Sequence, residues 1–166
     1  MTTKKKVPFK IYLDIDGVAA DFEGGFKEIT GKYPSQVEKK FLWKTINSDK
    51  NFFYDLDVMR GFMNLWDLVE DTEPSFLTGL PGSSSGKEAK IKWVNKHFPG
   101  TEVIVVPKKE KRKWAASNHI LIDDTMSNII EWKADGGIGI YHEVFNFHST
   151  ISELKDILLK QFDWTI

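Results

Sequence analysis

Two carboxylates with one residue between them, Asp14 and Asp16, follow the apolar run Ile11-Tyr12-Leu13 and precede Gly17. Such a run fills a buried strand, and a glycine after it lets the chain turn sharply. Strand side chains alternate in direction, so both acids leave on one side while Ile15 stays in the core. Carboxylates this close repel, and they need a cation, a shared proton or strong donors. Three later strand-like segments also lead into polar groups. Ser75-Phe76-Leu77 runs into Thr78, Glu102-Val103-Ile104-Val105-Val106 leads to a basic stretch at 108–113, and His119-Ile120-Leu121-Ile122 ends in Asp123-Asp124. In a parallel sheet these ends share one edge, where ligands bind. Clustered carboxylates suit a hard, oxygen-loving cation. A threonine hydroxyl and a lysine ammonium suit a phosphate. The combination points to phosphoryl chemistry on an anionic ligand.

The elements that must position these groups alternate between strand and helix from residue 75 onward. Ser85-Gly86-Lys87-Glu88 has the form of a capping box, and Ile91, Val94 and Phe98 give the helix behind it an apolar stripe that Pro99-Gly100 ends. A further helix is expected near 127–134, then a strand Ile138-Gly139-Ile140. A second capping box, Thr150-Ile151-Ser152-Glu153, is expected to open a last helix. The 102–106 segment is expected to be the clearest buried strand. This rhythm predicts an α/β fold, a parallel sheet with helices on both faces. Between 19 and 71 the rhythm breaks. Ten of the 22 aromatic residues fall there, with helical pieces at 20–30, 35–45 and 61–69. That density predicts a small helical cap built around an aromatic satellite core, with two or three rings facing a ligand. The core domain then comprises 1–18 and 72–166.

Composition narrows the function. The 166 residues suffice for one domain with a buried core. A net charge of −1 argues against a surface devoted to nucleic-acid backbone. There is no cysteine, which excludes disulfides, thiolate metal sites and a thiol nucleophile. Met1 to Lys6 reads as a solvated basic tail. No apolar segment long enough for a secretory signal follows it, and no run reaches membrane-spanning length. A cytoplasmic monomer or homodimer without membrane or nucleic-acid partners is the expectation. The four histidines show no metal-ligand spacing.

With these residues in view, the chain resembles the haloacid dehalogenase-like (HAD) phosphohydrolases, whose four motifs correspond to Asp14-Ile15-Asp16-Gly17, Thr78, Lys113 and Asp123-Asp124. Within that superfamily it is most similar to the 5′(3′)-deoxyribonucleotidases. The similarity rests on Asp14 to Phe22, on Asn51-Phe52-Phe53-Tyr54-Asp55-Leu56, on Lys92-Trp93-Val94, and on Leu121-Ile122 before the acidic pair. Thr78 is followed by Gly79 where relatives often carry a hydroxyl residue, so the Gly79 backbone N–H would replace a side-chain contact to phosphate. The resemblance implies a HAD-like fold, a nucleotide substrate and Mg²⁺. It further implies Asp14 as nucleophile, Asp16 as acid and base, and Thr78 and Lys113 on the phosphoryl oxygens. Asp14, the Asp16 backbone carbonyl and Asp124 would ligate the metal, with Asp123 orienting water or the lysine. Phe22 would face the nucleobase, with Trp43, Phe53 and Tyr54 as further candidates. Lys109 or Lys111 could serve in place of Lys113. Other small phosphate esters and nucleic-acid 3′-phosphate ends stay open as substrates. A phospho-accepting receiver module is disfavoured, because there the acidic pair comes first rather than last.

Overall fold

The computed structural model describes residues 6–83 and 85–166. The expected basic tail lies outside them except for Lys6, as does Ser84, which precedes the helix expected to open at Ser85-Gly86-Lys87-Glu88. Five strands form one parallel sheet: β1 (Lys10–Leu13), β2 (Ser75–Gly79), β3 (Val103–Val106), β4 (His119–Asp123) and β5 (Ile138–Tyr141), in the order β3-β2-β1-β4-β5. Tyr12 is in register with Ser75 and Leu121, and Leu13 with Phe76 and Ile122. β1 is therefore central, and Asp14 leaves its end between Thr78 of β2 and Asp123 of β4.

The two-residue period decides which face each strand residue buries. Ile11, Leu13, Phe76, Ile120 and Ile122 join the larger core. Tyr12, Leu77 and Leu121 turn to the opposite face and pack with Ile129 and Trp132. The helices are α1 (Phe22–Thr30), α2 (Lys39–Ser48), α3 (Phe62–Val69), α4 (Gly86–His97), α5 (Met126–Ala134) and α6 (Phe147–Phe162). Residues of α3, α4 and α6 contribute to the larger core and α5 to the smaller one, so both faces are covered. β3, the most apolar strand in the sequence, is an edge strand whose residues are only half-buried. Its hydrophobicity overstates its burial because it has a neighbour on one side only.

Two helix starts differ from expectation. Ser85 makes no side-chain cap bond to α4. α6 begins earlier than Thr150, at Phe147, because Asn146 caps it by accepting from the Ser149 N–H at 3.2 Å. Thr150 lies within that helix, and its hydroxyl meets the buried His142 Nδ1 at 2.7 Å.

The 19–71 segment is tied at its stem. The Met59 N–H donates to the Ala19 carbonyl at 2.7 Å and the Asp21 N–H to the Asp57 carbonyl at 2.9 Å. Its buried aromatics do not form a satellite core but run continuously into the main one. Phe62 of α3 lies 5.5 Å from Phe98 and 6.3 Å from Phe76, ring to ring. Trp93 of α4 donates its indole N–H to the Leu56 carbonyl at 2.8 Å, fastening the returning segment to the core.

Candidate active site

Asp14 stands one residue past β1 and is 6% exposed. Its Oδ1 accepts from the Ile15 N–H at 2.9 Å and from Lys111 Nζ at 3.0 Å. The same ammonium donates to Asp123 Oδ2 at 2.9 Å. Asp123, fully buried at the end of β4, also accepts from Asn128 Nδ2 at 3.0 Å and from the Thr125 N–H at 2.8 Å. These bonds anchor Asp123 to the first turn of α5. Asp124 projects toward the cavity and sits against Gly17, whose φ is +81°. A Cβ on Gly17 would fall on the Asp124 carboxylate. Glycine is required there twice, for the left-handed turn and for the close approach.

The lysine between the acids is Lys111, not Lys113. Residues Lys108–Trp114 form a 3₁₀ helix rather than a mobile loop. With three residues per turn, Lys108, Lys111 and Trp114 share one face. Trp114 packs on the smaller core, which turns Lys111 inward, where it is 4% exposed. Lys113 faces outward, its side chain 65% exposed, and pairs with Glu110 at 2.9 Å.

A second ammonium completes the site. Lys90 of α4 is 3% exposed and donates to Asp16 Oδ2 at 2.8 Å, Thr78 Oγ1 at 3.0 Å and the Gly79 carbonyl at 2.9 Å. Asp16 Oδ1 is buried without a hydrogen-bond partner among the described residues. Lys90 falls on the buried face of α4 with Trp93 and Val94. A lysine on an apolar helical stripe is the sequence signal that would have found it.

Asp14, Asp16, Thr78, Gly79, Lys90, Lys111 and Asp124 open into a cavity of about 370 Å³, and Phe22 and Trp43 from the 19–71 segment also line it. Phe53 does not line it. That ring is buried, 5.2 Å from Phe52, with Lys90 Nζ 4.9 Å from its centre. Tyr54 faces a different cavity of about 670 Å³ that has no lining residue in common with the first, and it lies under Lys96 Nζ at 4.8 Å. That larger cavity contains Lys50, Lys92 and Glu88 but none of the clustered acids.

Electrostatically the acid cluster is short of positive charge. Burial first, then the Asp123 charge, pushes the Asp14 carboxyl up to about 6 despite Lys111. Burial, then the charges of Asp14 and Asp123 and a hydrogen bond with Asp14, pushes Asp124 up to about 8. Burial disfavours the Lys111 ammonium, but Asp14 and Asp123 more than offset this and hold its pKa above the ordinary lysine value. Asp14, Asp123 and Asp124 can each offer an oxygen within 4.8 Å of the others. An all-oxygen set with surplus negative charge fits a hard divalent cation. Asp14 and Asp124 have the open coordination capacity, since Asp123 is occupied by Lys111, Asn128 and the Thr125 N–H.

No protein-family model matches the chain, and no curated protein matches it. Solved structures do. A hydrolase from Streptococcus pneumoniae superposes with a TM-score of 0.53 at 12% identity, over 89% of this chain and 100% of that one. A HAD-family enzyme from Bacteroides thetaiotaomicron gives 0.50 at 13% identity, over 87% and 98%. The five-stranded parallel sheet with helices on both faces is thus a fold shared with these two structures. No helix among the described residues is long and apolar enough to cross a membrane.

Proposed function

We propose that this chain is a Mg²⁺-dependent phosphatase of the 5′(3′)-deoxyribonucleotidase type, releasing phosphate from (deoxy)nucleoside monophosphates. The observation that carries the proposal is the pairing of Asp14 with Lys111 beside the open carboxylate of Asp124, at the floor of a cavity with aromatic walls. Asp14 attacks phosphorus and forms an aspartyl-phosphate as the ester P–O bond breaks. Asp16, whose side chain lines the cavity, gives a proton to the leaving oxygen. It then takes one from the water that hydrolyses the intermediate, which frees inorganic phosphate and regenerates Asp14. Lys111 and the Thr78 hydroxyl stabilise charge on the phosphoryl oxygens. A Mg²⁺ held by Asp14, Asp124 and the Asp16 carbonyl, with Asp123 behind them, would neutralise the carboxylates and substrate phosphate and polarise the phosphoryl group. The 19–71 segment acts as a small cap, with Phe22 and Trp43 stacking on the base and excluding water.

The test is phosphate release from ribo- and deoxyribonucleoside 5′- and 3′-monophosphates, with Mg²⁺ and with EDTA. Metal-dependent turnover favouring some of these nucleotides supports the reading. Turnover of simple phosphate esters alone would move the substrate elsewhere, and no metal-dependent release at all would refute the phosphatase reading.

A further inference from the structure

The mechanism above leaves the second buried ammonium unassigned. A lysine has three donors, and Lys90 uses one each on Asp16 Oδ2, Thr78 Oγ1 and the Gly79 carbonyl. No donor is left for a phosphoryl oxygen. Each side chain that Lys90 holds keeps one function directed elsewhere. Thr78 Oγ1 accepts from Lys90, so its own hydrogen is free to be donated. Asp16 Oδ2 is held by Lys90, which fixes a carboxyl that lines the cavity, while Oδ1 is buried without a partner among the described residues. From the side of the 19–71 segment, the Phe53 ring lies against the ammonium at 4.9 Å and restricts its movement.

We propose that Lys90 is a positioning residue that fixes the Asp16 carboxyl for proton transfer to the leaving oxygen and turns the Thr78 hydroxyl toward the transferred phosphoryl group. This rests on the phosphatase reading above. In the step concerned, the Asp14–phosphorus bond forms and the ester bond breaks while the proton of the Asp16 carboxyl passes to the departing oxygen. Lys90 enters only by holding the geometry.

The discriminating quantity is dependence on the leaving group. A nucleoside 5′-monophosphate expels a poor alkoxide that needs the proton, whereas 2,4-dinitrophenyl phosphate expels a stable phenolate that does not. Wild type, Lys90→Met, Lys90→Gln, Asp16→Asn and the Lys90→Met/Asp16→Asn double variant are compared by kcat/KM on both esters. Lys90→Met is expected to lower turnover of the nucleotide by about 100-fold and of the dinitrophenyl ester by less than about tenfold. On the nucleotide, the double variant is expected to be slower than Asp16→Asn alone by no more than the loss that Lys90→Met shows on the dinitrophenyl ester, since only the Thr78 part of the role survives in Asp16→Asn. Equal losses on the two esters, no loss, or additive losses in the double variant would overturn the proposal. If Lys90→Met does not fold, the same ratio is read on Lys90→Gln, whose shorter side chain with two donors cannot hold all three acceptors, and an equal loss on both esters there overturns it. Wild type that hydrolyses neither ester refutes the phosphatase reading itself. Wild type that hydrolyses both, with an unmoved ratio in the variants, refutes the role of Lys90 alone.

Discussion

Metal-free protein is predicted to lose stability as pH rises from 6.5 to 8, against the usual behaviour of a carboxylate-rich site. Asp124 binds its proton up to about 8 in the folded chain, against the ordinary 3.8. Between these values the folded state holds a proton that the unfolded state has released, so unfolding becomes easier as pH increases. Asp14, raised to about 6, acts in the same direction but only below that pH. There it is opposed by the buried His142, which burial lowers from 6.5 to about 4. A base with a depressed pKa destabilises the fold as pH falls through that range, so the two slopes oppose each other between roughly 4 and 6. The raised Lys111 adds nothing here, because its stabilisation is complete below the ordinary 10.5 and is lost only above it. Asp124 therefore titrates largely alone between 6.5 and 8. At about 1.4 kcal/mol per pH unit, the fold loses about 2 kcal/mol across that interval. For a chain of this length that is a fall in Tm of roughly 4–8 °C. The assay is thermal unfolding in EDTA at closely spaced pH values, repeated with Mg²⁺ and with Asp124→Asn. Mg²⁺ should abolish or reverse the slope, because ligation displaces the proton and strengthens with pH. A flat or rising Tm in EDTA, or an unchanged slope in Asp124→Asn, would refute the reasoning.

Other perturbations separate the residues that build the site from their neighbours. Lys111→Met leaves Asp14 and Asp123 facing each other without their ammonium. It should lower kcat/KM by about 10²–10³-fold and destabilise metal-free protein by roughly 3–5 kcal/mol, read by phosphate release and urea unfolding. Lys113→Met removes only an exposed pair with Glu110 and should leave both measurements at wild-type values. Gly17→Ala places a methyl on the Asp124 carboxylate and strains a left-handed turn. Stability should fall by about 1–2 kcal/mol, with a larger effect on Mg²⁺ affinity, at least about tenfold by titration calorimetry. Phe22→Ala removes a stacking wall and should reduce kcat/KM for nucleotides by roughly 5- to 150-fold, mainly through KM, while sparing an aliphatic ester such as glycerol phosphate.

The strand ends were legible in the sequence because each coupled an apolar run to a polar group with few alternatives. Asp14, Thr78 and Asp123 lie just past β1, on β2 and at the end of β4 as that pattern demands, and the parallel order brings them to one edge. The lysines were not legible in the same way. Six residues at 108–113 contain four lysines and an arginine, and only the three-residue period of the 3₁₀ helix, anchored by Trp114, selects Lys111. A lysine chosen by spacing alone lands on the outer face. Lys90 was hidden by reading the α4 stripe from Ile91, Val94 and Phe98, while Trp93 and Val94 with Lys90 form its buried face. Among the aromatics of the 19–71 segment, composition could not separate Phe22 and Trp43 at the cavity from Phe53, buried beneath Lys90, or from Tyr54, which lines another opening. Rings at adjacent positions enter different environments, and that depends on how the segment returns to its stem.

The central claim is that Asp14 carries the phosphoryl group. Protein mixed with a nucleotide labelled at its phosphate and quenched in acid within a turnover should contain covalently bound phosphate that hydroxylamine removes. The label should map to Asp14, be absent from Asp14→Asn, and persist longer in Asp16→Asn, where hydrolysis of the intermediate lacks its base. Phosphate released at full rate with no acid-stable labelled protein at any time point, or label retained in Asp14→Asn, would contradict the account.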